Sequence, residues 1–234
     1  QKYPFMSFYD DALPANLMQE WQKVVDLLAQ LVNVRAALIM RINDDEIEVF
    51  VSSQTKANPY KVGDKEKLSN SGLYCEAVTR SQQPLMVADA MASPQWDRNP
   101  DLKHGFVSYL GFPIKLPDGR PFGTICVLDD HPNEYSPALF SLLEKMRDLI
   151  ESNLSFKKVE EDLKLARDAA EAASRAKTDF LGRVSHDLRS PLTAIMGYSQ
   201  LIIRIGGQEA SKAKIIHRSA KHMLGLINDL IEYA

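Results

Sequence analysis

Residues 180–192 read FLGRVSHDLRSPL, and the chemistry starts at His186, whose imidazole is followed at once by Asp187. A carboxylate that accepts a hydrogen bond from Nδ1–H holds the ring in one tautomer and raises the basicity of Nε2. A neutral Nε2 in that setting can attack a phosphorus centre. Pro191 stands five residues on, inside a pattern that otherwise reads as helix to about residue 205. It has no N–H for the carbonyl of Asp187, a loss that costs about 3 kcal/mol or more inside a helix. The pattern therefore calls for an exposed, oriented imidazole on a helix able to bend.

The surrounding apolar residues say how such a helix is held. Leu181, Leu188, Ile195 and Ile202 form a seven-residue ladder. If they face a core, His186 faces solvent. Gly206-Gly207 ends this helix, since glycine is favoured just past helix C-termini. A second stripe follows at Ile216, Ala220, Met223, Ile227, Leu230 and Ala234. Two helices with a short loop make a helical hairpin, and two hairpins side by side make a four-helix bundle. A homodimer is therefore expected. Upstream, no proline or glycine occurs from 138 to 181, and Leu142, Leu149, Phe156, Leu163 and Ala170 stand seven apart. That is the seam of a coiled coil. Its phase breaks near Phe180, where a stutter alters the supercoil.

The first half has a different grammar. Segments 35–42, 46–54, 84–90, 109–116 and 122–129 are short apolar runs that read as strands. LPDGRPF between the last two supplies hairpin turn chemistry. Leu17, Trp21, Val24, Leu28 and Leu31 mark one face of a preceding helix, and residues 71–83 read as a short helix with Ser71 near its start. This half is α+β, an antiparallel sheet with flanking helices. PQWDRNPDLKHG (94–105) is a loop and helix placed to cover a pocket, with Trp96 and His104 as candidate ligand contacts. Phe106, Tyr109, Phe112, Met40 and Cys126 read as core, and Cys75 as a small buried residue. His131, His217 and His222 have no metal-ligand spacing and read as surface residues, so no metal site is expected.

Composition narrows the rest. A net charge of −3 with no basic tract gives no support for nucleic-acid binding. No apolar run approaches the roughly 18 residues of a membrane span, and no secretory leader opens the sequence. Two cysteines far apart give no disulfide framework, which fits a reducing, cytoplasmic setting. The chain opens on Gln1, so a longer protein is expected.

Phe180, Leu181, Val184, Ser185, His186, Asp187, Leu188, Arg189, Ser190, Pro191 and Leu192 together resemble the H-box of sensor histidine kinases. This box belongs to the dimerisation and histidine-phosphotransfer (HisKA-type) domain of two-component systems. The resemblance implies that His186 takes the γ-phosphoryl group of ATP and passes it to an aspartate of a response regulator. It makes Asp187 the base. It places Ser190 where the family often has Thr or Asn positioning water for phosphatase action, and a serine hydroxyl can still orient water. GLYCEAV, SYLGFPI and PDGRPFGTICVLDD resemble a GAF sensor domain and are silent on its ligand. In the phytochrome branch a bilin-bearing cysteine is usually followed by histidine; Cys75 is followed by Glu76, so bilin is not expected. The expected organisation is a GAF core over 1–136, a C-terminal GAF helix and coiled-coil linker over 137–179, and the phosphotransfer hairpin over 180–234. Nothing in the sequence resembles a glycine-rich nucleotide lid, so ATP is expected on a kinase domain of the full-length protein and this chain alone is expected to be inactive. Two alternatives stand beside this: a GAF-based binding and dimerisation module with an unused H-box, and a phytochrome-like photoreceptor kinase.

Overall fold

The computed structural model describes residues 13–232. These form two compact units, divided between Val159 and Glu160. Residues 1–12 of the sensor half, and Ala234 at the end of the last apolar stripe, lie outside the described residues.

The first unit is a six-stranded sheet with every pairing antiparallel. Helix α1 (Ala15–Val32) precedes β1 (Ala36–Asn43) and β2 (Glu46–Ser52). Then come β3 (Lys65–Lys67), α2 (Tyr74–Ser81), β4 (Leu85–Val87), a 3-10 turn (Pro100–His104), β5 (Ser108–Lys115) and β6 (Pro121–Asp129). The strand order is β3-β2-β1-β6-β5-β4. Asp44 takes a left-handed φ of 53° in the turn between β1 and β2, and Gly119 one of 83° in the LPDGRPF hairpin.

Both faces of this sheet are covered, which explains why its central strands read as unbroken apolar runs. Ala37, Ile39, Phe112, Ile125 and Val127 point to one face, where α1 and the start of the long helix α3 (Pro137–Ile205) pack. Leu38, Met40, Tyr109, Cys126 and Leu128 alternate onto the other face, under α2 and the 3-10 turn. The first core is pinned by Trp21, whose indole stands edge-on to Phe50 and Phe122 and donates from Nε1 to Asn153 Oδ1 at 3.1 Å. Gly123 is required where β1 and β6 meet: a Cβ there would lie 1.8 Å from the carbonyl oxygen of Met40. Gly111 lets the Tyr109 side chain fold across it, its hydroxyl 2.0 Å from where a Cβ would sit.

Within the first unit, α3 carries two apolar stripes. Leu139, Leu143, Ile150 and Leu154, at spacings of 4, 7 and 4, are buried against the sheet. The predicted seam faces elsewhere: Leu149, Phe156 and Val159 are exposed, Phe156 by 74%. Its first position, Leu142, belongs to the sheet core instead, half-buried there.

The second unit holds the rest of α3 and α4 (Ala210–Glu232), joined through Gly206 and Gly207, both at positive φ. The two helices form a hairpin, and the expected ladder is only partly covered in one chain. Leu188, Ile195 and Ile202 are 44%, 42% and 42% exposed. The buried positions are Ser185, Leu192 and Ser199 on α3 and Ala213 and Ala220 on α4. The serine at 199 is tolerated there because its hydroxyl donates to the carbonyl of Met196 at 2.9 Å. The stripe read on α4 divides likewise: Ala220 turns inward while Ile216 and Met223 remain half exposed. Pro191 sits within α3 without ending it.

Candidate functional site

His186 lies on α3 away from the hairpin seam, its side chain 82% exposed, and Asp187 beside it is 80% exposed. Nδ1 of His186 stands 3.3 Å from Oδ1 of Asp187. That contact favours the Nδ1–H tautomer and leaves the Nε2 lone pair toward solvent. One turn on, Ser190 and Pro191 are exposed as well. Pro191 leaves the carbonyl of Asp187 without its helical donor. Below them Arg189 Nη2 donates to Asn228 Oδ1 at 2.9 Å, tying the helix to α4 within a turn of the histidine. The sequence carried no pattern for this contact, since the two residues are 39 apart.

The other histidines divide. His222 is exposed, as expected. His217 is not a free surface residue: it is half-buried in the seam, with Nδ1 at 3.1 Å from Ser199 Oγ and 3.2 Å from the Met196 carbonyl. The ring nitrogen thus finds two partly buried polar partners, the Ser199 oxygen and the Met196 carbonyl. His131 is exposed, but the end of β6 gathers Asp129, Asp130 and His131 so that one ligand-type atom of each lies within 4.8 Å of the others. Arg35 shares that cluster, its guanidinium 3.4 Å from Asp130 and its backbone N–H donating to Asp129 Oδ1 at 3.3 Å.

The first unit holds a cavity of about 330 Å³ on the α2 side of the sheet. Leu38, Met40, Ile47 and Val49 line one side, with Tyr60, Cys75, Asp101 and His104 around them. His104 lies in this lining, edge-on to Tyr60 at 5.4 Å. Trp96 does not: it is buried against Tyr74, ring centres 5.0 Å apart, and is absent from the cavity lining. As a large indole beside an apolar helix face, it contributes more as packing than as a contact. Cys75 and Cys126 are both buried and both line the cavity. The Cys75 thiol beside it, together with burial, pushes Cys126 well above the usual thiol range, and Thr124 Oγ1 donates to Cys75 Sγ at 3.4 Å. Tyr109 reaches Cys75 Sγ at 3.5 Å.

Asp101 and Tyr60 were missed in the sequence. The Tyr60 hydroxyl donates to Asp101 Oδ1 at 2.5 Å. Burial raises the Asp101 carboxyl above its ordinary range, opposed by the Tyr60 bond and by His104. Asn99 caps the 3-10 turn by accepting from the Asp101 N–H at 2.8 Å, which fixes the carboxylate's position. Ser71 does not start α2. Leu73 is its N-cap residue, and the carboxylate of Glu76 accepts the N–H groups of Asn70 and Gly72 at 2.8 and 2.9 Å instead.

The first unit is a two-faced antiparallel sheet with a cavity, and the second is a helical hairpin bearing an exposed His-Asp pair. Residues 16–154 match the GAF domain family and residues 176–234 the His Kinase A (phospho-acceptor) domain. The first match takes in more than half of the sequence, so the chain belongs to the GAF family, and its C-terminal residues match the phospho-acceptor domain model. The cell-division control histidine kinase PdhS of Brucella ovis is 43% identical over 83 residues, covering 33% of this chain and 8% of that protein. PdhS of Brucella anthropi matches to the same extent. The chain therefore spans less than a tenth of the length of these relatives. Among solved structures, it resembles the GAF domain of the Acinetobacter phosphoenolpyruvate-protein phosphotransferase with TM-score 0.51 and 17% identity, over 65% of this chain and 89% of that one. The corresponding Coxiella burnetii domain gives 0.51 and 16%, over 64% and 88%. These likenesses show the fold. Among the described residues no helix is long and apolar enough to cross a membrane.

Proposed function

We propose that this chain is the input and phosphoacceptor part of a two-component sensor histidine kinase. The single observation that carries the reading is the exposed imidazole of His186, with Nδ1 at 3.3 Å from the Asp187 carboxylate. Nε2 attacks the γ-phosphorus of ATP held by the kinase's ATP-binding domain. A nitrogen–phosphorus bond forms, the bond from the γ-phosphorus to the bridging oxygen breaks, and ADP leaves. The ring gains positive charge, and Asp187 takes up the Nδ1 proton as base. In the return step a response-regulator aspartate attacks the phosphorus, the nitrogen–phosphorus bond breaks, and the proton goes back to Nδ1. Ser190, on the same exposed turn, is the residue that orients water for dephosphorylation. The carbonyl freed by Pro191 gives the helix room to bend as the phosphoryl group arrives.

The chain works as a homodimer, because Leu188, Ile195, Ile202, Ile216 and Met223 form an apolar face that one hairpin leaves half exposed. The GAF unit regulates the reaction through a small molecule in its cavity. ATP as donor places this chemistry in the cytoplasm. The test is phosphorylation of the chain by an added histidine-kinase ATP-binding domain with labelled ATP. The label is expected to be acid-labile and base-stable and to vanish in His186→Gln. Label retained in His186→Gln but lost in His217→Gln or His222→Gln refutes the assignment.

A further inference from the structure

The cavity beside β1 and β2 has a chemical bias. Asp101 lines it, is 7% exposed, and has one hydroxyl, that of Tyr60, on Oδ1. Among the described residues no lysine or arginine pairs with it. Burying a carboxylate without a cation is costly, and the cost is relieved when a partner supplies positive charge. The other charged lining residues do not supply it. Asp64 and Glu66 add negative charge, and the ammonium of Lys65 is engaged outside, 3.4 Å from Glu46 and 3.8 Å from Glu48. Three carboxylates therefore face one ammonium that is already paired, and His104 is the remaining basic group of the lining.

The remainder of the wall is apolar and aromatic. Leu38, Met40, Ile47 and Val49 offer an aliphatic floor. Tyr60, stacked on Phe106 at 5.5 Å, offers a ring whose face attracts cations. A volume of about 330 Å³ equals roughly eleven waters at their share of the liquid, near the lower end of small-molecule sites. Anions such as phosphates or carboxylates would meet repulsion from Asp101, Asp64 and Glu66.

We propose that this cavity binds a small organic cation, a protonated amine on an apolar body, with its ammonium on Asp101 and its body against the Leu38–Val49 floor. The proposal rests on reading the GAF unit as a ligand-responsive input and names the ligand class of that input.

The experiment is calorimetric titration of the whole chain with three probes of one shape: phenethylammonium, 2-phenylethanol and phenylacetate. The amine is expected to bind at least about ten-fold more tightly than the alcohol or the acid, a difference of about 1.4 kcal/mol. Asp101→Asn, which keeps the shape of the side chain, is expected to remove that preference. The comparison of probes on the unaltered chain stands even if the variant misfolds. Equal binding of amine and alcohol overturns the proposal. So does an amine preference that survives Asp101→Asn, or no saturable binding of the amine at about 10 mM, well above the millimolar range of weak ligands. Phosphorylation of His186 is not read in this titration. A failed amine preference with labelled His186 sinks the ligand class alone, and amine binding with unlabelled His186 sinks the phosphoacceptor reading alone.

Discussion

Truncating Ile195 to alanine should weaken dimerisation by about thirty-fold without unfolding the hairpin. Leu188, Ile195 and Ile202 of α3 and Ile216 and Met223 of α4 are each 42–50% exposed in the single chain. Complete burial of such a side chain contributes about 1.5–3 kcal/mol, so the half still open to water contributes about 1 kcal/mol on dimerisation. Five residues in each of two protomers give about 10 kcal/mol, set against an association cost of about 4–15 kcal/mol. The margin is thin, so each member of the face is felt. A symmetric interface loses every truncated residue twice. Ile195→Ala therefore removes about 2 kcal/mol, which is about thirty-fold in the dissociation constant. Helix propensity does not mask the effect, since alanine is the better helix former. Sedimentation equilibrium across a range of concentrations reads the constant, and circular dichroism checks that helix content is kept. Met91→Ala, at a residue 73% exposed in the sensor unit, is the control and should leave the constant unchanged. A dissociation constant that Ile195→Ala shifts by less than about three-fold would refute the assignment of this face as the interface.

Two further outcomes follow from the sensor unit. Leu143 is fully buried while Leu149, also on α3, is 46% exposed, so Leu143→Ala should destabilise the unit by about 2–5 kcal/mol and Leu149→Ala by about 0.5 kcal/mol in urea unfolding of the monomer; equal losses would contradict the two-stripe description. Burial raises the Asp101 carboxyl, so between its unfolded and folded values the native state holds more protons than the unfolded one, and stability falls as pH rises from about 4. Asp101→Asn should flatten that slope, and an unchanged slope in pH-dependent unfolding would show that Asp101 does not carry it.

Much of this was legible in the sequence where one physical demand dominated. The strands around Ile39 and Ile125 announce themselves because both faces are buried, and the His186-Asp187 pair because its residue types and the following proline form a dense local motif. Where several weak demands combined, the pattern misled. Serine at 185 and 199 reads as a solvent position, yet both are buried, Ser199 with its hydroxyl on the Met196 carbonyl. The neighbouring leucines and isoleucines stay half exposed in one chain. β3 is Lys-Glu-Lys, exposed and held by its pairing with Glu46–Glu48, so no apolar period could reveal it. Asp101 lies in the polar run NPDLK, and only the fold brings it to Tyr60, 41 residues away.

The exposed face of the hairpin also makes abundance a chemical variable. A pair held by a margin of a few kcal/mol is mostly assembled when copies are plentiful and mostly apart when they are scarce. If phosphorylation of His186 runs across the pair, output per molecule rises with copy number before any signal molecule is bound. Expression level then acts as a second input, multiplying whatever the cavity reports. Single hairpins, meanwhile, expose Leu188, Ile195 and Ile202 to proteases and to chaperones, so copies left unpaired at low abundance are the ones removed first.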